Sequence, residues 1–193
     1  MESFLISTGV VAVAEIGDKT QLLALVLAAR YRAPLPIILG ILIATIANHA
    51  LAASLGVLVA DVLGPDILRR ALGLSFLAMA VWVMIPDKVD DDETKTPRRY
   101  GPFLATLVVF FLAEMGDKTQ IATIALAARF DALIAVTAGT TMGMMLANVP
   151  VVLIGKAAAT KIPMKAAHAI AAVIFAVMGI LALTDVGALF GPE

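Results

Sequence analysis

The sequence predicts an all-α membrane protein, with six transmembrane helices arranged as two inverted three-helix repeats. Three observations lead there. Of 193 residues, 61% are hydrophobic and 15% charged, and the mean hydropathy is +0.99. A soluble domain carries about 45–50% apolar and roughly 25% charged residues. The apolar excess falls in runs long enough to cross a bilayer, which takes about 20 helical residues for a core of ~30 Å. Unpaired backbone groups are not tolerated in lipid, so such runs are helices. Finally, the chain repeats itself at an offset of 99 residues, from Glu15 to Glu114.

Proline, glycine and charge clusters divide the chain into apolar segments at 3–30, 35–60, 67–86, 102–129, 132–155 and 165–184. The first begins MESFLISTGVVAVAEIG, and Ala12-Val13-Ala14 mimics a signal-peptidase site. A signal peptide needs a positive n-region, and the early charge here is Glu2, so the segment is expected to be retained. The second span carries Asn48 and His49. After the third comes the one clearly hydrophilic stretch, DKVDDDETKTPRRYG at 87–101, read as a solvated linker rather than a regulatory metal site. Residues 1–86 and 102–193 are then the two repeats. The fourth span copies the first: EIGDKTQLLALVLAAR at 15–30 and EMGDKTQIATIALAAR at 114–129 agree at 10 of 16 positions. In the fifth, Gly139 and Gly143 form a GxxxG spacing, a helix-contact signal, and Pro150 is expected to kink the helix just after Asn148. His168 in the sixth span receives no role.

The offset extends beyond the motif, pairing Gly40 with Gly139, Gly56 with Gly155, Phe76 with Phe175 and Met79 with Met178. Asn48 and Asn148 lie 100 apart, which suggests a local bulge in one helix. Three spans per half is odd, so the second half enters the membrane in the opposite sense, the plan of many secondary transporters. Loop lysines and arginines orient the chain. Nine lie on one side (Arg30, Arg32, Lys88, Lys95, Arg98, Arg99, Lys156, Lys161, Lys165) and three on the other (Arg69, Arg70, Arg129). The linker is therefore expected in the cytoplasm and both termini outside.

Glu15 lies about 12 residues into its span, ~18 Å of rise and close to the midplane, and Glu114 matches it. Each half buries two carboxylates and a lysine: Glu15, Asp18 and Lys19, then Glu114, Asp117 and Lys118. Unrelieved, the six charges would cost roughly 15–20 kcal/mol. In a continuous helix Glu15, Asp18 and Lys19 share a face, with Gln21 on the Asp18 side. Thr20 points elsewhere unless the helix unwinds at Gly17, as broken transporter helices do. The sum of both sets is −2, the complement of one divalent cation, and an acidic excess in lipid reads as a cation or proton site. Lys19 and Lys118 are the charge partners. A purely structural ion-pair cluster is the competing reading. Oxygen donors suit magnesium, calcium or manganese, and Asn48 and Asn148 are candidate supplementary ligands or interhelical hydrogen bonds. Cysteine is absent and the net charge is −1, which excludes thiolate sites and nucleic-acid partners.

EIGDKT and EMGDKT resemble the paired E-x-G-D-[KR]-[ST] signature of the GDT family of cation/proton antiporters, within the lysine-exporter superfamily. The resemblance covers nearly the whole chain. It implies that Glu15, Asp18, Glu114 and Asp117 form the transported-ion site. It extends to Thr20 and Thr119, with Gln21 and Gln120 beside them as supplementary ligands or proton-path groups. It also implies export of manganese, or calcium, in exchange for protons from a bacterial plasma membrane, with no resident cofactor. The expected partners are the metal ion, protons and the bilayer, and a homodimer is allowed. A cation channel and an intramembrane aspartyl protease are the rivals from other classes, the second disfavoured because the whole Glu-Asp-Lys set is duplicated.

Overall fold

A computed structural model describes residues 1–85, 100–154 and 164–184. Of the linker expected at 87–101, only Tyr100 and Gly101 belong to these residues, and Gly155, Lys156 and Lys161 also lie outside them. The described residues form eight α-helices and no strand. They are α1 (Glu2–Ala14), α2 (Lys19–Tyr31), α3 (Pro34–Val62), α4 (Pro65–Trp82), α5 (Pro102–Glu114), α6 (Lys118–Phe130), α7 (Leu133–Ile154) and α8 (Met164–Leu183). Proline at the first turn starts α3, α4 and α5, where its missing N–H costs nothing. Three helices, within 34–62, 133–154 and 165–183, are long and apolar enough to cross a membrane, and α1 and α5 are shorter apolar helices.

The expected single spans at 3–30 and 102–129 are each broken in two at the repeated motif. Gly17 and Gly116 adopt positive φ, 84° and 76°, a conformation that ends a right-handed helix and that glycine reaches without steric cost. Asp18 and Asp117, in extended conformation, then restart the chain as N-caps of α2 and α6. The one-face argument for Glu15, Asp18 and Lys19 therefore does not apply, because it requires an unbroken helix. The bulge expected from the Asn48–Asn148 spacing is not found, since α3 and α7 run as uninterrupted α-helix through both positions.

Polarity is distributed inside out relative to a soluble protein. Glu15, Thr20, Thr45, Asn48, Glu114, Thr123, Thr140 and Asn148 are all fully buried. Leu51, Leu55, Leu58, Ile134, Leu146, Leu153, Ile170 and Val173 are more than half exposed. An apolar jacket around a polar interior is what a hydrocarbon solvent selects, because charges must face the bundle. The chain is a membrane protein.

Helix contacts link the two halves of the sequence. α1 packs on α7, α3 on α5 and α6, and α4 on α8. A Cβ on Gly40 of α3 would lie 2.8 Å from Phe103 O and from Thr106 Cβ. Gly139 of α7 approaches Phe4 and Ser7 of α1 in the same way, so residues 4, 7 and 139 match 103, 106 and 40 at the offset of 99. Gly143 continues the contact, with Thr8 O 2.7 Å from a built Cβ. Phe76 and Phe175, also 99 apart, stack at a centroid distance of 6.3 Å. Without a hydrophobic force between helices in lipid, close backbone approach at small residues is the main source of adhesion. Gly40→Val and Gly139→Val should each destabilise by about 1–3 kcal/mol through overpacking. Gly9→Val, with open space at its Cβ, should not. Thermal unfolding of the purified variants in detergent reads the difference.

Candidate metal centre

The two helix breaks bring the motifs together. Glu15 is the C-cap of α1, Asp18 the N-cap of α2 and Asp117 the N-cap of α6. One carboxylate oxygen from each lies within 4.8 Å of the others, and all three side chains are buried. At an effective dielectric of about 20, each pair of bare charges at that distance repels by about 3–4 kcal/mol. Such a trio needs a cation or protons among its oxygens. Its donors are all carboxylate oxygens, which suit hard or borderline divalent ions.

Each break is a tight turn closed by backbone and side chain together. Asp18 N–H donates to Glu15 O at 3.1 Å, and Asp117 N–H to Glu114 O at 3.3 Å. Glutamine secures the glycine: Gly17 N–H donates to Gln21 Oε1 at 3.0 Å, and Gly116 N–H to Gln120 Oε1 at 2.7 Å. The amide nitrogens reach across to the other half. Gln21 Nε2 donates to Ala147 O at 3.1 Å on α7, and Gln120 Nε2 donates to Asn48 Oδ1 on α3. Positions 48 and 147 differ by 99, so the two bonds reach corresponding positions, one a backbone carbonyl and the other a side-chain amide, and the counterpart of Asn148 is His49 rather than Asn48. Both glutamines thus have donor and acceptor engaged in holding the turns.

The unwinding also turns Thr20 inward. Its Oγ1 donates to Glu15 Oε2 at 2.6 Å, and Thr119 Oγ1 donates to Glu15 Oε1. Both motif threonines, from opposite halves, converge on one glutamate. Glu114 stands apart from the trio and accepts from Thr45 Oγ1 at 3.2 Å. Its Oε2 faces His49 Nε2 at 3.7 Å. Asp117 Oδ1 accepts from Gln120 N–H at 2.7 Å, a side-chain cap on α6. Lys118 is buried, with Nζ donating to Ile85 O at 2.7 Å, whereas Lys19 is half-buried. Asn48 Nδ2 donates to Phe111 O at 3.5 Å, and Asn148 Nδ2 bonds back to Met144 O at 3.1 Å on its own helix.

Thr45 is not among the residues singled out from the sequence, where His49 reads as a packing or hydrogen-bonding group with a proton relay as the lesser alternative. The available signal was their spacing of four, which puts them on one face of α3 together with the polar Asn48.

A family model described as divalent cation/proton antiporter GDT1 matches residues 3–91 and 102–188. A Vibrio cholerae protein named "Putative manganese exporter" is 58% identical over 181 residues, covering 93% of this chain and 90% of that one. A GDT1-like protein 3 of Oryza sativa subsp. indica is 31% identical, covering 88% of this chain and 69% of its own length. A GDT1-like protein of Synechocystis is 29% identical, covering 86% and 88%. No solved structure matches the chain.

The turn geometry makes its own prediction. A Cβ at Gly116 would have nothing within 4 Å, so Gly116→Ala meets no clash and pays only for its positive φ. It should lose about 1–2 kcal/mol, whereas Gly9→Ala inside α1 should gain up to about 1 kcal/mol from helix propensity. Paired thermal-unfolding curves in detergent distinguish a strained turn from a merely small residue.

Proposed function

This chain belongs to the GDT1 family of divalent cation/proton antiporters, and from that premise we propose that it exports manganese from the cell in exchange for protons. The observation that carries the reading is the buried trio Glu15, Asp18 and Asp117, contributed by both motifs at breaks in two helices. Members of the family are transporters rather than enzymes. Manganese is put first because the Vibrio cholerae relative bears that name and because the donors are oxygen atoms. Calcium takes the same donors and is the alternative cargo.

The proposed mechanism is alternating access between two inverted three-helix repeats, residues 1–86 and 102–193, joined by a cytoplasmic linker at 87–101, with both termini outside. Each repeat consists of one broken span and two continuous ones. Supporting this are the contacts exchanged at the 99-residue offset: Gly40 on Phe103, Gly139 on Phe4, and Phe76 on Phe175. The ion binds where broken helices meet. There the C-terminal ends of α1 and α5 offer partial negative charge, and the caps Asp18 and Asp117 offset the positive N-termini of α2 and α6. Glu114, the fourth motif carboxylate, stands beside the trio on the α3 side rather than within it, and Thr20 and Thr119 orient Glu15. Gln21, Gln120 and Asn48 hold the turns. Four carboxylates and two lysines sum to −2, which one divalent ion or two protons neutralise, so exchange is electroneutral when two protons return per ion. The bacterial plasma membrane is the expected location.

Reconstituted protein with an imposed pH gradient should take up Mn2+. Glu15→Gln and Asp117→Asn should each reduce that flux by at least about 100-fold, the loss of an interaction worth roughly 3 kcal/mol. Calcium competition ranks the ions. Flux that ignores the pH gradient would mark a channel, and an exchange current that follows membrane potential would refute the two-proton stoichiometry.

A further inference from the structure

The two motifs are nearly identical in sequence, yet their glutamates stand in different places. Glu15 joins Asp18 and Asp117 and receives both motif threonines, while Glu114 is turned toward α3. Thr45 donates to its Oε1, and His49 lies 3.7 Å from its Oε2. Glu114 and Thr45 are fully buried, and His49 is 1% exposed. Glu114 Oε2 and both His49 ring nitrogens lack a hydrogen-bond partner. Glu114 is thus held on α3 by the Thr45 hydroxyl, with His49 facing its second oxygen beyond hydrogen-bond distance, a contact that costs less to part than a fully bonded pair.

This place has no copy in the other half. At the offset of 99, Thr45 corresponds to Met144 and His49 to Asn148. Met144 has no hydroxyl, and the Asn148 side-chain nitrogen donates to Met144 O, leaving an amide oxygen that cannot donate to a carboxylate. The asymmetry is therefore written into α3 and α7. Glu114 lies at the end of α5, three residues before Asp117, the N-cap of α6.

Building on the ion-site reading above, we infer that Thr45 and His49 dock Glu114 outside the ion site in this conformation, and that Glu15 and Glu114 take turns at the ion rather than share it. In the conformation shown, Glu15, Asp18 and Asp117 hold the ion while Glu114 waits on α3. In the opposite one, Glu114 moves in beside Asp117 and Asp18, and Glu15 withdraws toward α7. Because α7 carries Met144 rather than a threonine at the position equivalent to Thr45, the conformation shown is the favoured resting state. Thr45 and His49 are positioning residues in this scheme.

The test separates binding from exchange, using the full chain in lipid nanodiscs for Mn2+ titration and in proteoliposomes for Mn2+/H+ exchange. Glu114→Gln should bind Mn2+ within about threefold of wild type but exchange at least tenfold more slowly, whereas Glu15→Gln should weaken binding at least tenfold. Equal weakening by both variants would show one shared four-carboxylate site and overturn the proposal, as would unimpaired exchange by Glu114→Gln. Thr45→Val changes the dock alone and covers the case of a misfolded Glu114 variant. It should change the exchange rate by about threefold or more at unchanged Mn2+ affinity, with Thr45→Ser restoring the rate. An exchange rate insensitive to Thr45→Val would refute the dock. Failure of the wild type to bind Mn2+ at all would instead refute the ion-site reading beneath it.

Discussion

Carboxylates buried in hydrocarbon repel one another and lack water to solvate them, and this constraint organises the rest of the molecule. Each charge at a helix centre costs about 2.5–3.5 kcal/mol, so the acidic groups must face inward, meet donors and await counter-charge. The buried threonines, asparagines and glutamines supply the donors. The outward leucines, isoleucines and valines supply the lipid contact. Small residues at Gly40, Gly139 and Gly143 let the helices come close enough to seal the interior.

Breaking two helices inside the membrane creates a second debt, because every freed N–H and C=O must find a partner there. The motif handles this locally. Glycine makes the turn, aspartate restarts the helix, and the glutamine three residues after the aspartate takes up the glycine N–H. The same glutamine then ties the turn to the opposite half. These bonds couple each turn to the opposite half, so under the proposed alternating access a movement between the halves reaches both turns.

Near-symmetry with a local exception is the other feature of this fold. Two copies of one motif could form a symmetric four-carboxylate site, but α3 carries a hydroxyl and an imidazole where α7 carries a thioether and an amide. A carrier with two identical conformations would gain nothing from choosing between them. In the proposed mechanism, unequal partners for the two glutamates give one conformation a preference that the transported ion and protons overcome.

The membrane class, the outer bounds of the apolar segments within a few residues, and the contact at Gly139 and Gly143 were legible in the sequence, because hydropathy, proline placement and glycine spacing are local signals. So was the burial of the four acidic residues, since charge in an apolar run stands out against the cost of burying it. The arrangement of those residues was not legible. Assuming an unbroken helix put Thr20 away from Glu15, and a spacing of 100 paired Asn48 with the wrong partner. Thr45 and His49, four residues apart on a helix where Asn48 was the candidate ligand, gave no motif to find. Sequence determines which groups must be buried and which turns glycine permits. Only tertiary packing decides which carboxylate each hydroxyl meets, because those partners lie up to 104 residues apart and are chosen by how the two halves dock.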